Sequence, residues 1–373
     1  MVREHLGQSL TSIPDPYGEY DSFGAYMNNK LQSFLDKFGF DYEFKSATEY
    51  YQSGKFDEYL LKILQRNDDI QAIMLPTLGA ERQATYSPFM PVCPDTRQVL
   101  QVKIEEVRPD NGTIIYRNLD NKLVETEVTG GKCKLQWKPD FGMRWAALDV
   151  DYEMYGKDIM VNAELYTKIC QKLDGNPPTQ FFYELFLNEE GKKISKSTGN
   201  GISLDDWLNY APLESMSLFM YQSPGKAKKL YFEVIPKNVD EYLTFAKKYH
   251  QEEDMVKKYA NPAYHIHNGE VPNHEMFGLS FALLLNLAAV CNPENKDVMW
   301  GFISQYAPEA SPESAPYLDL LASYTVKYYR DFVATQKQYR DATDEEKAVL
   351  QQLVAMREGV TNTKSGEEIQ TMV

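Results

Sequence analysis

Apolar residues recur at helical spacing along most of this chain and at alternate positions in one restricted stretch, and the change of period marks its organisation. In residues 23–38, Tyr26, Leu31, Phe34, Leu35 and Phe38 share a helical face, and the run 42–44 beyond Gly39 reads as a strand. Phe56, Tyr59, Leu60, Ile63 and Leu64 form an i, i+3, i+4, i+7, i+8 stripe, which predicts a second helix running on toward Met74. Helix, strand, helix is the pattern of part of an α/β layer.

Between residues 88 and 127 the period shortens. β-Branched or alternating segments at 99–107, 113–116 and 123–128 are separated by Pro109-Asp110-Asn111-Gly112 and Leu119-Asp120-Asn121, both suited to hairpins. An antiparallel insertion is therefore expected to interrupt the α/β layer, with Gly130-Gly131 marking the return. Strand and helix alternate again from 151 to 186, with 161–173 helical, 174–178 a loop and 180–187 a buried strand. Beyond Ser203 the chain reads as almost wholly helical. Ser203 with Asp206 resembles a capping box, Pro212 suits a helix first turn, and stripes run through 239–250, 277–290, 317–333 and 345–356. Residues 358–373 are polar and aperiodic, and are expected to be disordered.

Composition narrows the class. With 43% hydrophobic and 25% charged residues among 373, the chain is globular and long enough for two or three domains. A net charge of −15 argues against indiscriminate adhesion to nucleic acid or anionic membrane. Lys226, Lys228 and Lys229 form a local basic patch, or else a solvated helix end. Cys93, Cys133, Cys170 and Cys291 lie far apart without a CxxC pair, so neither a zinc knuckle nor a disulfide framework is signalled and a reducing cytoplasm fits. No apolar run follows Met1-Val2-Arg3-Glu4-His5, so export is not expected. The most apolar stretch, 276–291, is 16 residues long and reads as a buried helix, not a membrane span.

Chemistry gathers at Lys193-Ile194-Ser195-Lys196-Ser197, followed by Thr198-Gly199-Asn200-Gly201. Two ammonium groups three residues apart, among hydroxyls and glycines just after a strand, suit a cationic loop that closes on a polyphosphate. Cleaving ATP between its α- and β-phosphates builds charge on pyrophosphate, and lysines beside it lower that barrier. A Lys/Ser/Gly turn on its own is more often an ordinary surface loop.

The Lys-Ile-Ser-Lys-Ser run resembles the KMSKS signature of class I aminoacyl-tRNA synthetases, and the surrounding segments resemble the lysine-specific branch. These are Ala84-Thr85-Tyr86-Ser87-Pro88-Phe89, Leu135-Gln136-Trp137-Lys138-Pro139-Asp140-Phe141-Gly142-Met143-Arg144-Trp145, Tyr155-Gly156-Lys157-Asp158 and Tyr183-Glu184-Leu185-Phe186-Leu187. Asp206-Trp207-Leu208, Tyr231-Phe232-Glu233-Val234-Ile235-Pro236-Lys237 and Tyr264-His265-Ile266-His267-Asn268-Gly269 continue the match, which covers residues 10 to about 333 in order.

The resemblance implies an α/β plus all-α fold. Residues 1–190 would be an incomplete Rossmann-like nucleotide-binding catalytic domain with a β-rich insertion near 86–134, 191–235 the signature loop and connecting helices, and 236–357 an α-helical tRNA-contacting domain. It implies lysyl-adenylate formation from lysine and ATP with Mg2+, then transfer to tRNA(Lys), in the cytoplasm, with no membrane or DNA partner and no metal-ligating residues. Lys193 and Lys196 would be catalytic. Both would bind ATP with Ser195, Ser197, Gly156 and Asp158, while Trp137, Tyr183 and position 159 would face the lysine substrate. On the residues alone, Trp137 reads equally as a core tryptophan beside Trp145 and Tyr183 as a buried strand residue.

The pattern departs from the family in several places. The family's HIGH signature is absent from these 373 residues, and the segment around His5 matches family sequence downstream of it. Ile159 and Lys132 stand where histidine is common in the family. The C-terminal end is expected to stop before the helical anticodon-binding part is complete. A degenerate, non-catalytic paralogue that binds tRNA or a protein is the alternative reading.

Overall fold

Ser22 opens the first long helix of this computed structural model, which describes residues 2–194, 201–338 and 340–359. Two units divide the chain, Met1–Trp207 with Pro212–Val271 and Leu208–Ala211 with Pro272–Val373.

In the first unit, α1 (Phe23–Lys37) begins where Ser22 Oγ accepts the Ala25 N–H at 3.0 Å. Residues 42–44 are not the expected strand: no ladder forms there, and the Tyr42 hydroxyl turns back to Asp36 at 3.0 Å. Next come α2 (Ala47–Gln52), α3 (Asp57–Gln65), α4 (Asn67–Met74) and α5 (Ala80–Gln83). The predicted single helix from 56 to 74 is thus two. Arg66 breaks it at φ −106° and ψ 26°, and its guanidinium leaves the helical line for the Asp174 carboxylate, 2.9 Å away.

Strands β1 (Phe89–Pro91), β2 (Ile104–Arg108), β3 (Thr113–Arg117), β4 (Leu123–Glu127) and β5 (Cys133–Leu135) follow. β2, β3 and β4 form an antiparallel meander, while β1 pairs antiparallel with β5. Gly112 (φ +70°) and Asn121 (φ +60°) supply the left-handed turn residues. The meander's first strand starts at Ile104, five residues later than the apolar run suggests.

α6 (Trp137–Ala147), β6 (Tyr152–Gly156), α7 (Lys157–Met160), α8 (Ala163–Lys172) and β7 (Thr179–Tyr183) make a parallel crossover unit, in register from Tyr152↔Thr179 to Gly156↔Tyr183. Helix α6 lies close on α8, because a Cβ at Gly142 would stand 2.8 Å from Ile169 Cβ and from the Tyr166 carbonyl oxygen. Leu60, Ile63, Leu64, Ile70, Phe89, Trp145, Tyr166 and Ile169 are buried in one cluster joining these elements. The expected buried strand over 180–187 is instead β7 and the separate β8 (Phe186–Leu187), and Phe182 and Tyr183 are about 40% exposed.

α9 (Leu204–Leu208), α10 (Leu213–Tyr221), β9 (Lys228–Lys229), α11 (Ile235–Gln251), α12 (Met255–Ala260) and α13 (Pro262–Ile266) follow. Ser203 Oγ accepts the Asp206 N–H at 3.1 Å while Asp206 Oδ2 accepts the Ser203 N–H at 2.8 Å, a reciprocal cap on α9. Pro212 is the N-cap of α10, one position ahead of its first turn.

The second unit is built on α14 (Phe281–Cys291), α15 (Lys296–Tyr306), α16 (Pro316–Tyr328) and α17 (Asp344–Gly359). Phe281, Leu284, Met299, Ile303, Leu318 and Leu321 are buried. α14 starts later than the apolar stripe at 277, because Phe277 and Gly278 both have positive φ and Ser280 caps the helix. α16 ends at Tyr328 and gives way to a wider π turn over Tyr329–Val333. Among the described residues no helix is long and apolar enough to cross a membrane. The tail expected to be disordered lies, from 360 onward, outside the described residues.

Candidate active site

The parallel pair β6 and β7 ends at one edge with Gly156 beside Tyr183. Open sheets with parallel strands place ligands beyond such carboxyl ends, where the following loops converge. Gly156 is required there by proximity, since a Cβ would meet Asp158 Oδ1 at 2.7 Å and Tyr183 Cε2 at 3.6 Å. Any side chain would displace the Asp158 carboxylate.

Lys193 reaches the same edge by a hairpin. β8 runs into a turn in which Gly191 N–H donates to the Asn188 carbonyl at 3.0 Å, Lys192 N–H donates to Asn188 Oδ1 at 2.8 Å, and Gly191 has φ +79°. The returning arm bridges Lys193 to Leu187, and the Ile194 N–H donates to the Phe186 carbonyl at 3.0 Å. Lys193 Nζ thereby stands 3.9 Å from Asp158 Oδ2, with both side chains more than half exposed. In water such a pair contributes about 0–1 kcal/mol, so it orients the ammonium more than it stabilises the fold. Ser195, Lys196 and Ser197 lie outside the described residues; Gly201, where description resumes, packs against Ile194.

The hairpin is tied down from behind by β9, which pairs parallel with β8, Phe186 to Lys228 and Leu187 to Lys229. Lys229 Nζ donates to the Glu189 carbonyl at 2.8 Å. Lys228 was expected on a basic patch or a solvated helix end; its ammonium is instead half-buried and donates to the carbonyls of Phe219, Met220 and Gln222 at the end of α10. It lies 4.8 Å from the Phe219 ring centroid, and burial pulls its pKa down to about 8. A second pair joins the loops, with Lys157 Nζ 2.6 Å from Glu184 Oε1.

Trp137 is 59% exposed at the start of α6, whereas Trp145 is 1% exposed and donates its indole N–H to Glu153 Oε2 at 3.2 Å. The Trp137 ring rests on Phe141, 5.5 Å between centroids, and Phe141 stacks on Tyr166 at 4.5 Å. Gln136 fixes this entry by donating to the Ser87 carbonyl at 2.5 Å and accepting from Arg82 at 3.1 Å. Behind it the Tyr51 hydroxyl donates to Asp140 Oδ1 at 2.5 Å and accepts the Leu135 N–H at 3.3 Å, while Arg144 pairs with the other Asp140 oxygen. Ile159 is partly buried and packs on the core.

The structure therefore brings Gly156, Asp158, Tyr183 and Lys193 together, sets Trp137 on the first turn of a braced helix, and turns Ile159 toward the core. Sequence reasoning missed Lys157 with Glu184, the Tyr51–Asp140–Arg144 network and the buried Lys228. The one signal for any of them was Asp140 four residues before Arg144 on a helix otherwise rich in aromatic and apolar residues.

Residues 1–270 match the family described as tRNA synthetases class I (K). The lysine–tRNA ligase of Rickettsia felis (strain ATCC VR-1525 / URRWXCal2) is 58% identical over 373 residues, which cover 100% of this chain and 71% of that protein. That of Rickettsia bellii (strain OSU 85-389) is 58% identical over 370 residues, 99% of this chain and 71% of the relative. That of Rickettsia rickettsii (strain Sheila Smith) is 57% identical over 373 residues, 100% and 72% respectively. This chain belongs to the class I tRNA synthetases.

Proposed function

We propose that the chain works in lysine–tRNA ligation: the lysine carboxylate attacks the ATP α-phosphate to give lysyl-adenylate and pyrophosphate, and the lysyl group then passes to the terminal adenosine of tRNA(Lys). The observation that carries the reading is Lys193, set by a hairpin 3.9 Å from Asp158 beyond the carboxyl ends of β6 and β7. Identity of 58% over all 373 residues to a lysine–tRNA ligase supports the same chemistry.

In this reading Lys193 and Lys196, with Ser195 and Ser197, hold the triphosphate and stabilise departing pyrophosphate. Gly156 lets the nucleotide approach the strand end, and Asp158 aims Lys193. Trp137 and Tyr183 offer exposed rings suited to an alkyl stem with an ammonium tip, whereas Ile159, packed on the core, is left out of that contact. Mg2+ would arrive with ATP and offset part of its charge. A Rossmann-like catalytic domain over 1–190, the loop region 191–235 and a helical tRNA-contacting domain over 236–357 complete the proposal, with the cytoplasm as its setting.

Lysine-dependent exchange of pyrophosphate into ATP, measured on this chain, is the test. Exchange that falls about 100-fold or more in Lys193→Ala, with lysine affinity little changed, is the expected result for a group acting in the transition state. Binding of tRNA by the chain with no lysine-dependent exchange would refute the reading.

A further inference from the structure

A cleft of about 90 Å3 lies in the first unit between the segment at Ser9–Ser12, α2, the segment 92–99 that follows β1, and Gly131 with Lys134 of β5. Its lining holds two cations, Arg97 and Lys134, and no carboxylate, in a chain of net charge −15. Nearby cations behave differently: Lys103, Arg108, Arg117 and Lys132 each face a glutamate. Among the described residues, the side chains of Arg97 and Lys134 make no ion pair or hydrogen bond.

The remaining polar wall is also biased toward donors. Ser9 Oγ lies 2.9 Å from Thr11 Oγ1, which lies 3.0 Å from Thr48 Oγ1. Three hydroxyls joined by two contacts use two of their three protons, so one O–H remains to donate in every arrangement. Gln52 adds an amide, held at the wall where Gly131 (φ +75°) lets it approach: a Cβ there would stand 2.9 Å from Gln52 Cγ. The Tyr51 hydroxyl is already engaged with Asp140. Two unpaired cations with neutral donors and no acceptor of equal strength favour an anion of dispersed charge.

We infer that this cleft binds a phosphate group between Arg97 and Lys134, with a hydroxyl of the Ser9–Thr11–Thr48 chain as a further donor. The phosphate belongs either to a free phosphorylated compound or to an RNA backbone, and the site stands whether or not the catalytic reading does. The test is calorimetric titration of the full chain with inorganic phosphate and, separately, with a short RNA duplex. Arg97→Gln and Lys134→Gln are each expected to weaken phosphate about tenfold, and Lys134→Arg to retain most binding. If RNA is the source, the slope of log affinity against log salt falls by about 1 for each cation removed; if RNA binding is unmoved while phosphate weakens, a free phosphate compound is the ligand. Phosphate and RNA affinities that both survive loss of Arg97 and Lys134 overturn the inference. Arg97 is exposed, so its variant reports even where Lys134→Gln disturbs β5.

Discussion

Removing one oxygen from Tyr51 tests whether the entry to α6 is braced as the geometry implies. Tyr51 and Asp140 are 4% and 6% exposed, so neither can turn to water when the other is lost. The hydroxyl donates to a carboxylate at 2.5 Å and accepts the Leu135 N–H at 3.3 Å. A hydrogen bond to a charged group contributes about 1.5–3 kcal/mol, and stranding a buried backbone N–H costs about 1–3 kcal/mol. Arg144 remains on the carboxylate and absorbs part of the loss, so Tyr51→Phe should cost about 3 kcal/mol while the ring keeps its packing on Phe56. For a unit of this size that is about 6–12 °C in melting temperature. Urea unfolding followed by circular dichroism measures it, and a cycle with Asp140→Asn should show coupling of about 1–2 kcal/mol. A loss under about 1 kcal/mol, the figure for an ordinary neutral hydrogen bond, would refute the bracing argument.

Gly142→Ala should cost about 1–3 kcal/mol by urea unfolding, because the new methyl would stand 2.8 Å from Ile169 Cβ and the Tyr166 carbonyl oxygen, and both helices are packed. Burial raises the Glu153 pKa above its usual 4.5, so the native state holds its proton more tightly and stability falls as pH rises through the folded pKa. Glu153→Gln keeps an acceptor for Trp145 and should therefore be more stable than wild type at pH 7, with the advantage vanishing near pH 4 in parallel melts. Lys228 has the opposite window: its pKa is lowered from 10.5 to about 8, the unfolded chain binds more protons between those values, and wild type should gain stability relative to Lys228→Met as pH rises from about 8 to 10.5. A difference that stays flat across that range contradicts the burial assigned to the ammonium.

Helices were legible where a face is buried, because burial imposes the period: Leu60, Ile63 and Leu64 are wholly covered, and their stripe gave α3. Breaks were not legible where backbone geometry decided them. Arg66 ends a helix to reach Asp174, which lies over 100 residues further on, and Phe277 takes a positive φ that its side chain gives no reason to expect. The run at 42–44 had strand composition and no partner to pair with, and a strand exists only through its ladder.

The site divides along the same line. Lys193 was legible by residue type, as a cation suited to polyphosphate, and Asp158 only by the family resemblance and its place at a strand end. What aims them was not. Parallel pairing of β8 with β9 joins segments some 40 residues apart, and no local pattern names the partner. Lys228 shows the consequence. In a row of three lysines within four positions it looks like surface charge, yet the pairing turns its ammonium onto the last carbonyls of α10 and the faces of Phe219 and Phe186. A cation is the group that a helix C-terminus favours, so desolvation is offset there by carbonyls that would otherwise go unpaired. One lysine therefore gives up solvent to fix the strand beside which the hairpin of a second lysine folds, and the second stays exposed enough to meet a ligand.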